Sequence, residues 1–500
     1  MLLSNLLAGL EGAELRHDCR VTGIAYDSRK VKEGYIFVAI KGFKLDGHAF
    51  VDDALARGAS GVVAQADVSV PAGKGLAVVK DSRFALSHLA CRFYRDPSSN
   101  LLVAGITGTK GKTTVCHMIK RIFEAMGHKT GLVGTLYNIV GDDVRPVERT
   151  TPEASDLLGL QREMVDKGCT AVAMEVSSHA LALHRVAHVK FDVAVFTNIG
   201  LDHLDFHKTM EDYVETKSRL FRMLSHSIHP NGPLAVINRD DPHGQQFKPH
   251  DSVKMITYGL SQDADVRAQN LETGPRGSRF TLCFRGRQQD VYINLPGRFN
   301  IENCLAAGAV GLGMGMTLES VAEALSKMEV VRGRAQPVPG ARDYTVWVDY
   351  AHTPESLRNI LATARDVASN RVIVVFGCGG DRDKHKRPVM GRIAGEIADL
   401  VVITNDNPRT EDPDHILDQV EAGLLEAKAC KPGISYIRIK DREEAIHKAI
   451  ALAQAGDVVV IAGKGHETYQ VFADTTVHFD DFEVAAQAIA KRNTPLKWGS

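Results

Sequence analysis

The sequence predicts an α/β chain of three domains with largely parallel sheets: a smaller N-terminal α/β domain, a central domain built on a phosphate-binding loop, and a C-terminal Rossmann-like domain. Three observations predict it. A length of 500 residues exceeds what one ordinary core organises. Short apolar runs alternate with helix-length stretches, the pattern of βαβ units. Seven of those runs end in tails rich in Gly, His, Asp, Glu and Arg, where open parallel sheets put their ligands.

Taken in order, the first stretch mixes short strands ("YIFVAIKG", "GVVA", "LAVVK") with helical pieces. "FYRDPSSN" (93–100) is polar and reads as a linker, so the first domain is expected over 1–98. "LLVAGI" then reads as a buried parallel strand. A helix is expected from Lys112 to about Met126, stopped by Gly127. "TAVAMEV", "FDVAVFTN" and "PLAVIN" continue the alternation, and 253–295 looks like extra β-structure. "RGRAQPVPGARD" (332–343) marks a second break, giving domains 99–335 and 336–500. Beyond it "YTVWVDY", "RVIVVFG", "DLVVITN" and "DVVVIAG" form another βαβ series.

Composition narrows the function classes. Hydrophobic residues make up 44% and charged residues 24%, as in soluble globular chains. A formal net charge of -1 argues against electrostatic binding of nucleic acid or an anionic membrane. No apolar run approaches the ~20 residues of a membrane helix. "MLLSNLLAGLEGAE" has no basic segment and meets Glu11 early, so no secretory signal is expected. The eight cysteines form no C-x-x-C pair and read as free thiols of a reducing cytoplasm.

"GITGTKGKTT" (105–114) departs from the usual G-x-x-x-x-G-K-[ST] spacing, because Ile106 stands where the first glycine belongs. The chemistry still works. Gly108 and Gly111 let backbone N–H groups of Thr109 to Thr114 converge on phosphate, the helix N-terminus adds a favourable field, and Lys112 adds charge. Thr113 is placed to reach Mg²⁺, and Glu175 ends a strand in "AMEVSSH" as a metal ligand would. His203 and His207 in "LDHLDFH" are four apart, but Leu204 stands where a zinc protease has Glu. His203 is the better ligand candidate, and His207 reads as a surface or supporting imidazole. Lys217 reads, on spacing alone, as an exposed helical lysine.

These motifs, with "DSRKVKEGYIFVAIKG", "TTPE", "TNIGLDHLDFH", "GRFNIENCLAA", "VDYAHTPESL", "GCGGDRDKHKRP", "DNPRTEDP" and "AGKGHETYQ", resemble the Mur ligase family over nearly the whole chain. The family's own loop is T-G-T-N-G-K-T, with Lys110 here replacing its Asn. The resemblance implies a UDP-binding N-terminal domain, a central P-loop ATPase domain and a C-terminal domain that receives an amino acid. It also implies ATP and Mg²⁺, with Thr113 and Glu175 holding one metal ion, His203 helping to hold a second, and a carbamate on Lys217 as a further metal ligand. Asn300, Arg334 and Asp349 would lie near ATP. Tyr26 and Ser28 would lie beside uridine, and Thr150, Thr151, Ser177 and Arg185 along the muramoyl peptide.

The resemblance is to members that add meso-diaminopimelate to a UDP-MurNAc-dipeptide, and a monomer is expected. "DNPR" (Asp406, Asn407, Pro408, Arg409) discriminates, because a guanidinium pairs in a fork with the extra carboxylate that lysine lacks. Arg382, Gly463 and Glu467 complete the implied pocket, with Glu467 facing the ammonium. Alone, Asp-Asn-Pro-Arg also suits an ordinary turn. A lysine-adding relative, a folylpolyglutamate-synthase-like ligase and a regulatory protein without catalysis are the alternatives. Closure of the domains around the reactants is expected.

Overall fold

The computed structural model describes every residue except 44, 201–203, 225–228, 428–432, 434 and 495–500. The chain forms two compact units. One comprises Met1–Arg267, Cys283–Arg287 and Asn303–Ala324; the other Ala268–Leu282, Gln288–Glu302 and Leu325–Ser500. Among the described residues no helix is long and apolar enough to cross a membrane.

The first unit holds two sheets. The N-terminal one has five strands in the order Glu14–His17, Gly75–Val78, Gly61–Ala64, Tyr35–Val38 and Gly23–Ala25. All neighbours are parallel except the Glu14–His17 edge. In the larger sheet Lys254–Gly259, Leu234–Asn238, Val193–Phe196, Leu102–Thr107, Ala171–Glu175 and Thr130–Val133 run parallel, in that spatial order. Asn138–Val140 and Asp143–Arg145 then add antiparallel edges. Leu102–Thr107 is buried at every position, as a parallel strand covered on both faces must be. The expected linker is instead ordered: the helix Ser82–Phe93 enters it, and Pro97–Asn100 forms a 3₁₀ turn.

The helix Ser82–Phe93 packs against the loop after Ser178–Ala182 through an aromatic cluster. Phe84 lies 5.5 Å from His184 and 4.9 Å from His188, ring centre to ring centre, and His188 lies 5.2 Å from His88. Burial, aided by the neighbouring imidazoles, holds His188 down at about 4. Between roughly pH 6.5 and 4 the unfolded chain therefore takes up a proton that the folded chain refuses. The stability His188 contributes is complete above this window and is lost as pH falls through it. We expect the thermal midpoint to drop between about pH 7 and 5, and His188→Gln to shrink the drop; equal slopes would refute the assignment.

The second unit is doubly wound. Its sheet runs Gln336–Pro337, Thr345–Asp349, Val458–Ala462, Val372–Phe376, Leu400–Ile403, Tyr436–Arg438, antiparallel only at the first pair. Alternate residues face opposite layers, as strand geometry dictates. Val372, Val374 and Phe376 pack with Leu357, Met390 and Val420, whereas Ile373 and Val375 pack with Ile446 and Ile489. The region expected as extra β-structure contains Lys254–Gly259 and the meander Val266–Gly274, Gly277–Phe284, Arg287–Ile293.

Candidate active site

In the first unit the loop 108–111 joins Leu102–Thr107 to the helix Lys112–Ala125. Gly108 has φ +144° and Gly111 φ +83°. A Cβ on Gly108 would stand 1.9 Å from Thr197 Oγ1, and one on Gly111 2.5 Å from Asn303 Oδ1, so only glycine fits. The neighbouring strand end braces the loop. Thr109 N donates to Asn198 O (2.8 Å), Lys110 N to Asn198 Oδ1 (2.9 Å), and Thr197 Oγ1 to Lys110 O (2.7 Å). Residue 110 is thus held through its backbone, and lysine there leaves the cradle intact. Lys112 Nζ curls back onto Gly108 O at 2.8 Å and Thr109 O at 3.0 Å. Thr114 is buried in the first helical turn.

Beside the loop stands Glu175, 1% exposed. Its carboxylate accepts from Thr113 Oγ1 at 3.1 Å, Thr135 N at 2.8 Å and Thr135 Oγ1 at 3.0 Å. Among the described residues no cationic side chain pairs with it. A buried carboxylate is expensive without a cation, and a carboxylate plus a hydroxyl is the hard oxygen set that Mg²⁺ prefers; the residues fit that ion. Lys217 departs from the expectation of an exposed lysine. It is 1% exposed, its Nζ donates to Gly108 O at 2.9 Å and lies 4.6 Å from the Tyr213 ring centre. His207 is likewise buried rather than at the surface, with Nδ1 3.4 Å from Asp212. His203 lies outside the described residues.

Next to Glu175, Thr151 Oγ1 donates to its backbone carbonyl (2.8 Å) and accepts from Ser177 N (3.2 Å), and Thr150 Oγ1 is 3.0 Å from Thr135 Oγ1. Arg185 donates to Thr151 O at 3.1 Å and pairs with Glu153 at 2.8 Å; Arg149 shares that carboxylate at 2.8 Å. Tyr26 Oη donates to Asp156 at 2.7 Å, and Ser28 is buried beside Asp53. The structure thus groups Thr150, Thr151, Ser177 and Arg185 around the carboxyl end of the strand, and Tyr26 reaches Asp156 in the first turn of helix Ala154–Asp166.

In the second unit four strand ends converge. Asp349 Oδ2 accepts from Ala335 N at 2.7 Å, and the Arg334 guanidinium lies 5.4 Å from the Tyr350 ring centre. Burial pushes the Tyr350 phenol up to about 12. Asn300 is buried and donates to Pro296 O at 2.8 Å. Lys464, fully buried, donates to Asn407 Oδ1 (3.0 Å) and Glu467 Oε2 (3.1 Å), and Asn407 Nδ2 donates to the same Glu467 oxygen at 2.9 Å. Gly463, φ +116°, leaves room for Asp406, whose Oδ2 a Cβ would meet at 2.8 Å. Arg409 donates to Gly380 O at 2.7 Å, and Gly379 sits between it and Arg382. Pro408 turns the chain so that its carbonyl lies against Gly380.

A cavity of about 570 Å³ opens beside these ends, lined by Asn405, Lys440, Gln470 and Phe472. Asp441 caps the helix Arg442–Leu452 there, accepting from Glu444 N at 2.8 Å. Sequence reasoning missed Thr135, Thr197, Asn198 and Lys464. The polar end of "VAVFTN" signalled Thr197 and Asn198, and Lys464 opens the tail after "DVVVIAG"; Thr135 had no signal.

A glycine cradle opening a helix, with a buried carboxylate against the loop hydroxyl, defines a P-loop nucleotide enzyme, here in a chain that also carries a Rossmann-like unit. Family models match successive segments: "Mur ligase family, catalytic domain" over 20–94, "Mur ligase middle domain" over 106–311, and "Mur ligase, glutamate ligase domain" over 333–465. The chain belongs to the Mur ligase family. It is 44% identical over 493 residues to the UDP-N-acetylmuramoyl-L-alanyl-D-glutamate–2,6-diaminopimelate ligase of Caldanaerobacter subterraneus subsp. tengcongensis, covering 98% of this chain and 99% of that one. It is 45% identical over 499 residues to the ligase of the same name from Bacillus velezensis (99% and 100%). A solved structure of a ligase with that name superposes with TM-score 0.69 at 33% identity, covering 95% and 96%.

Proposed function

We propose that this chain is the ATP-dependent ligase that joins meso-2,6-diaminopimelate to the D-glutamate of UDP-N-acetylmuramoyl-L-alanyl-D-glutamate, a cytoplasmic step of peptidoglycan synthesis. The observation that carries the reading is full-length identity of 44–45% to ligases named for that reaction. Residues 1–98 would take the UDP end, 99–335 the ATP, and 336–500 the amino acid.

A carboxylate resists amine attack, because its charge repels the nucleophile and oxide is a poor leaving group. In the proposed reaction a D-glutamate carboxylate oxygen attacks the γ-phosphorus of ATP, and ADP leaves. The amine of diaminopimelate then attacks the acyl carbon, phosphate departs, and a proton is lost from nitrogen. Positioning and charge stabilisation carry such chemistry. Lys112 and the backbone N–H groups of the loop would hold the phosphates, and Asn300, Arg334 and Asp349 the nucleoside. Thr113 and Glu175 would hold one Mg²⁺ and His203 would help hold a second, and the metal would supply charge to neutralise the transferring phosphoryl group. Lys217 as an ammonium cannot ligate a cation; a carbamate on Nζ, which its burial would shelter, supplies two oxygens. Thr150, Thr151, Ser177 and Arg185 would orient the peptide end, and Tyr26 and Ser28 the uridine. Arg409, with Arg382 and Gly463, would take the distal carboxylate of the incoming amino acid, and Glu467 an ammonium.

The test is ADP release with the UDP-muramoyl dipeptide and diaminopimelate, lysine or ornithine in turn. Diaminopimelate should be used ~30–3,000-fold better than lysine, the size of a lost charge pair. Equal use of lysine overturns the choice of amino acid. ADP release indifferent to the UDP-dipeptide overturns the ligase reading.

A further inference from the structure

Arg409 does not stand alone. The loops following Val372–Phe376 and Leu400–Ile403 are fastened to one another beneath it. Gly380 N donates to Asn407 O at 2.9 Å, and a Cβ on Gly380 would stand 1.9 Å from Pro408 O. Asp381, at φ +53°, donates its N–H to Glu411 Oε1 at 2.6 Å, and its carboxylate accepts from Thr410 Oγ1 at 2.8 Å. Arg409, at φ +52°, spends Nη1 on Gly380 O. Its Nε and Nη2 make no hydrogen bond among the described residues, and these are the edge left for a fork with a carboxylate.

Under both loops lies Arg387, fully buried in the helix Lys386–Ile397. It grips Glu411 with both terminal nitrogens at 3.0 Å and 3.0 Å, and also reaches Gln419 Oε1 at 2.9 Å and Gly379 O at 3.1 Å. Arg387 therefore holds both the loop on which Arg409 anchors and the acid that ends the Arg409 loop. Arg387 also holds the Glu411 carboxyl at about 2, so the ion pair persists at every working pH.

We propose that Arg387 and Glu411 are positioning residues for amino-acid selection: they fix the Gly379–Asp381 turn and thereby aim the free edge of Arg409 at a distal carboxylate. The proposal rests on the reading of Arg409 given above. Neither residue reaches that edge. Their effect passes through Gly380 O and the backbone of 409–411, and a displacement of about 1 Å at a fork costs on the order of 100-fold.

The experiment is a double-mutant cycle in the full-length chain with Glu411→Gln and Arg409→Asn, measuring kcat and KM for diaminopimelate and lysine at saturating ATP and UDP-dipeptide. Glu411→Gln should raise KM for diaminopimelate ~10–100-fold and leave lysine use and the KM for ATP within about twofold. In the Arg409→Asn background it should add nothing, because its effect runs through Arg409. A loss that is additive with Arg409→Asn, or spread over all substrates, overturns the proposal. If Glu411→Gln does not fold, the paired change Arg387→Met with Glu411→Leu removes both charges, which buried pairs commonly tolerate, and carries the same expectations. A wild-type chain that does not prefer diaminopimelate, or an Arg409→Asn variant that keeps the preference, would instead strike the functional reading.

Discussion

Replacing Glu175 by glutamine is expected to lower kcat at least ~1,000-fold, the magnitude of losing one preorganised charge at a phosphoryl-transfer centre. The fold should survive. Glutamine keeps a carbonyl oxygen for Thr135 N, and its amide can donate to the hydroxyls of Thr135 and Thr113, which accept as readily as they donate. Removing a buried charge that no cation in the described structure pairs should also leave the melting temperature unchanged or raised. The diagnostic is the pairing of those results with a higher Mg²⁺ concentration for half-maximal ADP release. If Glu175 only supports the Thr135 turn, glutamine will retain activity and the metal dependence will not move.

The phosphate loop was legible because its determinants are local: an apolar run, two glycines that must adopt positive φ, and a helix start. The second unit's layers were legible for the same reason. Lys217 was misjudged, although its burial is written in the helix period. Tyr213 lies four residues before it, and Leu220 and Phe221 three and four after, all of them buried. That apolar stripe puts Lys217 on the inner face, and only the residue type argued otherwise. Thr135 had no such local sign, and Asn198 had only its polar place at the end of an apolar run. They reach the site because Thr130–Val133 and Val193–Phe196 flank the central pair of strands, and strand order is set by packing between segments distant in sequence. The Arg387–Glu411 pair was hidden within motifs that attract notice for Arg382 and Arg409 instead.

Arg409→Asn should abolish the choice between amino acids. The residue sits at φ +52°, where most side chains strain the backbone but asparagine is tolerated. The substitution therefore removes the guanidinium without adding backbone strain. Loss of a hydrogen-bonded charge pair costs about 2–5 kcal/mol, so kcat/KM for diaminopimelate should fall ~30–3,000-fold. Lysine, which has no distal carboxylate, should lose little. Arg409→Lys is the sharper comparison. It retains the charge, but a single ammonium cannot both anchor on Gly380 O and present a two-pronged edge, so it should recover only part of the preference. If lysine at 409 restored full discrimination, charge alone would select the substrate, and the geometry that Gly380, Glu411 and Arg387 impose on Arg409 would have no part in it.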